Sequence, residues 1–296
     1  MKYIFNKIGI FILLSFSYLP LSFLFLFAPF VKFLIYKVFK YRVKLVKTNL
    51  LRAFPNKSDS ERFQIEKDYY QYLSELILEA VKGFTISAKE LNKRIKTQNS
   101  DIYDNIFKNK ESAIVAMGHN GNWEWICRHA PLYIKTQICV AYKPLTNPQF
   151  DELMNKVRCE FGIKVIPMAG IGRYIIENKN NPFLLILTAD QSPSNPNTGI
   201  WANFFDIQTS FLSGLEKLSL KYQLPVIFHE VKQASNKGFY ECKVHRLLEP
   251  RNHPLDGSIT QTYADLLQQK IIEQPHSWLW SHKRWKHAKK AQEVSP

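Results

Sequence analysis

The chain has 296 residues, of which 46% are apolar, 14% aromatic and 22% charged. That is enough apolar material for the core of one large α/β domain or two small ones, and it excludes an intrinsically disordered chain. Forty lysines and arginines against 25 acidic residues give a formal charge of +15, a field that attracts polyanions: nucleic acid, anionic lipid head groups or an acidic carrier protein.

The first element is an uncharged run of 24 residues, Ile8 to Val31, IGIFILLSFSYLPLSFLFLFAPFV. It is long enough to cross a hydrocarbon core of about 30 Å. It is also too long for the apolar stretch of a signal peptide, and no small-x-small cleavage site follows it. Lys32, Lys37, Lys40, Arg42, Lys44 and Lys47 lie behind it, against Lys2 and Lys7 in front. By the positive-inside rule the remainder of the chain stays in the cytoplasm. Pro20 and Pro29 can bend the helix, which leaves a tilted or half-inserted anchor open as an alternative. The chain thus divides into an anchor, residues 1–40, and a body at the cytoplasmic face, residues 41–296.

In the body, Phe63, Ile65, Tyr69, Tyr72, Leu73, Leu76, Ile77 and Ala80 recur at three and four positions, which predicts a helix from Asp59 to Thr85. Lys89 to Lys108 is polar and mixes helix and loop character. SAIVAMG, ending at Gly118, reads as a buried strand. Beyond it, strands are predicted at Gln137–Tyr142, Lys164–Met168, Phe183–Gln191, Pro225–Val231 and Phe239–Leu248, and helices at Phe150–Gly162 and Ser210–Gln223. Strands alternating with helices predict an α/β fold, a mixed and mostly parallel sheet covered by helices. Cys127, Cys139, Cys159 and Cys242 show neither CxxC pairing nor zinc spacing and read as small buried hydrophobes.

The chemistry concentrates in GHNGNWEW, Gly118 to Trp125. On one continuous helix His119 and Glu124 would be rotated about 140° apart. A turn allowed by Gly118 and Gly121, with Asn122 capping the next helix, can bring them together at the C-terminal end of the SAIVAMG strand, where open α/β sheets place their ligand crevices. A neutral imidazole there can take a proton from a hydroxyl attacking an acyl group, while a carboxylate on its other nitrogen fixes the tautomer. The bare spacing is weak evidence, because a chain of this composition carries roughly one such pair by chance. A satisfied histidine beside a capping Asn and an exposed Glu is the bland alternative.

GHNGNWEW resembles the His-x4-Asp/Glu motif of the lysophospholipid acyltransferase superfamily, and specifically of the bacterial lipid A biosynthesis late acyltransferases. Four further blocks resemble the same family in order: YRVKLVKTNLLRAFP from Tyr41, YKPLTNPQFDELMNKVRCEFGIKVIP from Tyr142, LTADQSPSNPNTGIWANFFDIQTSFLSGLEKLSLKYQLPVI from Leu187, and WLWSHKRWK from Trp278. The resemblance implies an acyltransferase with His119 as general base and Glu124 as its orienting partner. It implies that Arg158, Asp190 and Gln191 line the transfer site, with Lys143 near the substrate head group. It further implies a protein bound at the cytoplasmic face of the inner membrane that needs no metal or cofactor. The acyl donor would be acyl carrier protein, and the acceptor a hydroxyl of a lipid A precursor; an acceptor on another lipid is the alternative. Two positions depart from the pattern: Asn120 stands where an aromatic or apolar residue is usual, and Asp206 where a glycine is expected.

Taken alone, Arg158 reads as a solvated charge on an amphipathic stretch, and Asp190 as either a site residue at a strand end or a loop cap. The tail WLWSHKRWKHAKK suits a lipid interface, or equally a docked helix whose tryptophans meet the body. Trp123 and Trp125 read as core, and His276, His282 and His287 form no metal pattern. Two readings outside the transferases remain. A nucleic-acid module fits the charge but lacks any helix-turn-helix, zinc-finger or RNP signature. A membrane-anchored hydrolase would use the same pair on water.

Overall fold

A computed structural model describes residues 2–248 and 255–288. The N-terminal run folds as α1 (Lys2–Ser17), a break at Pro20, and a second helical stretch. That stretch consists of α2 (Leu21–Leu24), a 3₁₀ turn, α3 (Ala28–Lys32) and a π-helical turn ending at Val38. Leu21–Val38 has a mean hydropathy of 1.8 and is long and apolar enough to cross a membrane.

α4 (Val43–Ala53) leads to α5 (Asp59–Lys82), the longest helix. Its start is fixed by a capping box: the Ser58 hydroxyl accepts from the Glu61 amide at 3.3 Å, and Glu61 accepts from the Ser58 amide at 2.8 Å. α6 (Ala88–Arg94), β1 (Ile95–Gln98) and α7 (Asp101–Lys108) occupy the polar stretch that follows. β2 (Ala113–Met117), α8 (Trp123–His129), β3 (Gln137–Tyr142), α9 (Pro148–Cys159), β4 (Lys164–Pro167), α10 (Ile171–Glu177) and β5 (Phe183–Thr188) continue the predicted alternation.

A hairpin of β6 (Ile200–Phe204) and β7 (Ile207–Phe211) interrupts it. The helix expected from Ser210 therefore begins later, as α11 (Gly214–Tyr222), because Ser210 and Phe211 are spent on β7. β8 (Val226–Gln233), β9 (Tyr240–Leu248) and α12 (Ser258–Glu273) complete the body. The hairpin turn is Phe205–Asp206, both at φ 56°. A two-residue turn of that hand favours glycine, and aspartate is among the side chains that tolerate it, which accounts for Asp206 at a glycine position.

The seven main strands form one sheet in the order β1-β9-β8-β2-β5-β3-β4. Five run parallel, while β9 is antiparallel to β8 and carries β1 beside it. β2 lies at the centre and is buried along its whole length. Its alternate side chains enter two separate cores: Ile114 and Ala116 face the layer of α4, α5, α11 and α12, and Ala113, Val115 and Met117 face that of α6, α7 and α8. A strand buried on both faces reads as an unbroken apolar run, as this one does. Three of the cysteines are buried as expected, but Cys159, at the end of the amphipathic α9, is exposed.

After α12 the chain turns back over the C-terminal edge of the sheet. Ser277 O accepts from the Gly121 amide, and the Leu279 amide donates to His119 O, both at 3.1 Å. Trp278, Trp280 and Trp285 are at most 2% exposed. The tail tryptophans are thus core residues of a docked strap, and the lipid-interface reading does not hold for them. The strap is held as irregular chain by side chains on α4 and α5: Asn49 donates to the carbonyls of Trp280 and His282 at 2.8 and 2.9 Å, and Tyr69 Oη accepts from the Ser281 amide at 3.1 Å. Lys289 and Lys290 of the same motif lie outside the described residues.

Candidate active site

His119 follows β2 by two residues, and Asp190 follows β5 by two residues. The parallel register Met117↔Thr188 sets the two strand ends level, so residues 71 apart in sequence meet. His119 Nδ1 lies 2.5 Å from Asp190 Oδ1, and the His119 amide donates to Asp190 Oδ2 at 2.9 Å. Trp278 of the strap donates its indole N–H to that same Oδ2 at 2.8 Å. Asp190, 2% exposed, is therefore gripped on both oxygens.

The electrostatics follow from this geometry. Burial alone would raise the Asp190 carboxyl, but the His119 ring and amide, with Trp278, outweigh it and hold it down at about 2. For His119, burial pulls towards the neutral form, and the ion pair and hydrogen bond with Asp190 overcome it, with the Glu124 charge adding to them, so its pKa lies above 6.5. A carboxylate at Nδ1 keeps the proton of neutral imidazole there and leaves Nε2 as the basic nitrogen. Gln191 places its amide nitrogen 3.3 Å from Nε2, and Trp123 packs edge-on to the ring at a centroid distance of 4.9 Å.

Glu124 does not occupy the place on the imidazole expected for it. It sits in the first turn of α8, and the guanidinium of Arg158 on α9 takes it in a two-pronged ion pair, Nε to Oε2 at 3.0 Å and Nη2 to Oε1. The side chain of Arg158 is 17% exposed, so it is not the solvated charge its local sequence suggests. The physical reason is the sheet: the β2–β5 register sets the carboxylate of the neighbouring strand against Nδ1, while Arg158 takes Glu124. Lys143 is exposed just beyond β3 on the same edge of the sheet. With β5 intervening, it is two strand spacings from β2, about 10 Å in the sheet plane.

Beside these residues lies a cavity of about 270 Å³ walled by apolar side chains, among them Leu73, Ile77, Phe84, Trp123, Met154 and Val157, with Glu124 and Arg158 in its wall. An apolar cavity carrying one ion pair next to a basic imidazole suits an aliphatic chain ending in a polar, reactive group. Among the described residues no group of three His, Cys, Asp or Glu side chains could hold a metal ion.

The turn is supported from below. Asn122 caps α8 by accepting from the Trp125 amide at 3.0 Å, as its position predicted, and donates to Glu79 Oε2 at 2.7 Å. Tyr240 donates to the same oxygen at 2.6 Å, and burial lifts the Glu79 carboxyl to about 7. Asn120 donates to Val231 O at 2.6 Å, a buried backbone contact that an apolar residue there could not make. Gly121 has φ +60°, and an added Cβ would collide with Val231 Cγ1. Gly121→Ala is expected to cost at least about 1–2 kcal/mol from backbone strain alone, measured as a lowered midpoint of chemical denaturation.

The site defines a class: an imidazole–carboxylate base at the edge of a parallel sheet, beside a hydrocarbon-sized cavity, in a chain with an apolar N-terminal run. A family model described as bacterial lipid A biosynthesis acyltransferase matches residues 1–287, and the chain belongs to that family. It is an acyltransferase of lipid A biosynthesis, acting on lipid substrates with an acyl donor. No curated protein matches closely enough to add a more specific comparison.

Asp190 and Gln191 were placed in the site by resemblance, and the structure puts both on His119. Trp278 had no signal in the sequence beyond its place in the tail block.

Proposed function

We propose that this chain moves a fatty acyl group from acyl carrier protein to a hydroxyl of a lipid A precursor, a late acylation step of lipopolysaccharide biosynthesis, at the cytoplasmic face of the inner membrane. The observation that carries the mechanism is the His119–Asp190 pair, with Nε2 left as the base beside the apolar cavity. In this reading the acceptor O–H gives its proton to His119 Nε2 as its oxygen attacks the thioester carbonyl. Asp190 stabilises the imidazolium, and Arg158 and backbone donors of the turn offset the charge on the carbonyl oxygen. Collapse of that intermediate breaks the C–S bond, and the imidazolium returns the proton to the departing thiolate. The excess of positive charge suits two anionic partners, carrier protein and lipid phosphates.

The test is transfer of a labelled acyl group from acyl carrier protein to a lipid A precursor in detergent micelles. Acceptor-dependent ester formation that weakens steeply as salt rises from about 0.05 to about 0.5 M is expected. Donor consumption with a different lipid extract but none with lipid A would move the acceptor to another lipid. Fatty acid released without any acceptor would favour the hydrolase reading.

A further inference from the structure

The apolar stretch Leu21–Val38 passes for a membrane-spanning helix by length and composition, yet only 17% of it is buried in the fold and that part is well organised. Leu21, Leu24 and Ala28, each at most 1% exposed, enter the same core as Leu78 of α5. At one end Lys82 of α5 donates to the carbonyls of Ser17 and Leu19 at 3.3 and 3.2 Å. At the other end Tyr36 donates to Glu66 of α5 at 2.9 Å and stacks on Tyr70 at 4.5 Å. Glu66 and Lys82 are 16 residues apart, about 24 Å along the helix. The stretch is therefore laid along α5 and pinned at both ends.

α5 cannot enter a hydrocarbon core. Between Glu61 and Lys82 it carries Glu61, Arg62, Glu66, Lys67, Asp68, Glu75, Glu79 and Lys82, and each such side chain at a bilayer centre is strongly unfavourable. A segment fixed along such a helix cannot stand across the membrane without dragging it in. α1, at 16 residues, is about 24 Å long, short of the roughly 30 Å core.

What the stretch presents outward is an apolar stripe at helical spacing: Phe23, Leu26, Phe27, Phe30 and Phe33, between 38% and 71% exposed. Exposed Lys37, Lys40, Lys44 and Lys47 follow it. An apolar face rimmed by lysines is the pattern of a segment lying in the plane of an anionic lipid surface, sunk about 5–10 Å.

We propose that the protein is monotopic: the Phe23–Phe33 stripe seats it in one leaflet of an anionic bilayer, and the N-terminus does not emerge on the far side. The test uses the full-length chain in sealed membrane vesicles of both orientations, with a membrane-impermeant maleimide. Native Cys159 reports the body, and Lys2→Cys in a Cys159→Ser background reports the N-terminus. The expected result is that Lys2→Cys labels only in the vesicles that label Cys159, or in neither until detergent is added. Labelling of Lys2→Cys in the vesicles that protect Cys159 would overturn the proposal. In a second measurement, Leu26→Asp with Phe30→Asp is expected to lower partition onto phosphatidylethanolamine–phosphatidylglycerol vesicles at least 10-fold, since these side chains, 71% and 59% exposed, are already mostly in solvent. Unchanged partition of a folded double variant would remove the stripe as the seat.

Discussion

Asp190→Asn is expected to lower the transfer rate by about 10³–10⁴-fold with the fold retained, the size of effect seen when the carboxylate orienting a catalytic histidine loses its charge. Asp190 holds His119 at two points, one on the ring and one on the amide. His119→Ala is expected to lose about 10²–10⁴-fold, and the double variant little more than the worse single, because residues acting as a unit are not additive. The pH profile separates this arrangement from one in which Glu124 holds the imidazole. His119 must be neutral to act as a base, and its pKa is raised above 6.5 in the folded chain, so wild-type transfer climbs through an acidic limb above pH 6.5. The same pair stabilises the fold with the opposite slope: just below 6.5 both folded and unfolded imidazoles are charged and its contribution is complete, and it is lost as pH rises through the folded His119 value or falls towards the Asp190 value of about 2. In Asp190→Asn the burial that lowers the imidazole pKa is no longer outweighed, so the residual activity should carry its acidic limb to lower pH. A limb that stays in place would mean that another group orients His119. Steady-state rates across pH 5 to 9, with circular dichroism to check folding, decide it.

The fold was legible where burial writes itself into the local pattern. β2, β3 and β5 are apolar runs, and α5 shows a helical period, because each packs continuously against its neighbours. β1 was not legible: IKTQ is short and polar, and becomes a strand only because β9, some 145 residues on, pairs with it. The β6–β7 hairpin was hidden by a turn without glycine. The same division holds in the site. Strand ends could be located, so His119 and Asp190 each stood out, but which carboxylate meets which base depends on the β2–β5 register, a property of the sheet that no local spacing contains. A turn at the glycines and the family resemblance made Glu124 the expected partner for His119. Thirty-four residues further along, Arg158 on α9 wins it, because its guanidinium matches a carboxylate in a two-pronged geometry.

That pairing leads to the second large expected effect. Glu124→Gln should reduce transfer by about 10²-fold, on the scale of losing one preorganised group at a developing charge, with the acidic limb still above pH 6.5. The route is Arg158: without its partner a mostly buried guanidinium stands uncompensated in the wall of an apolar cavity, and it will shift towards solvent and away from the reacting carbonyl. Arg158→Gln should cost a similar factor, and Arg158→Lys nearly as much, since an ammonium cannot reproduce the planar fork. If the two act as one device, Glu124→Gln with Arg158→Gln will lose no more than the worse single variant, because the unpaired charge that makes the first harmful is gone. Losses that multiply in the double variant would show two independent roles, with Glu124 serving the imidazole or the acceptor directly. A fall in kcat with KM for the acyl donor unchanged would place the pair at the transition state, whereas a rise in KM alone would make it a clamp for the bound chain.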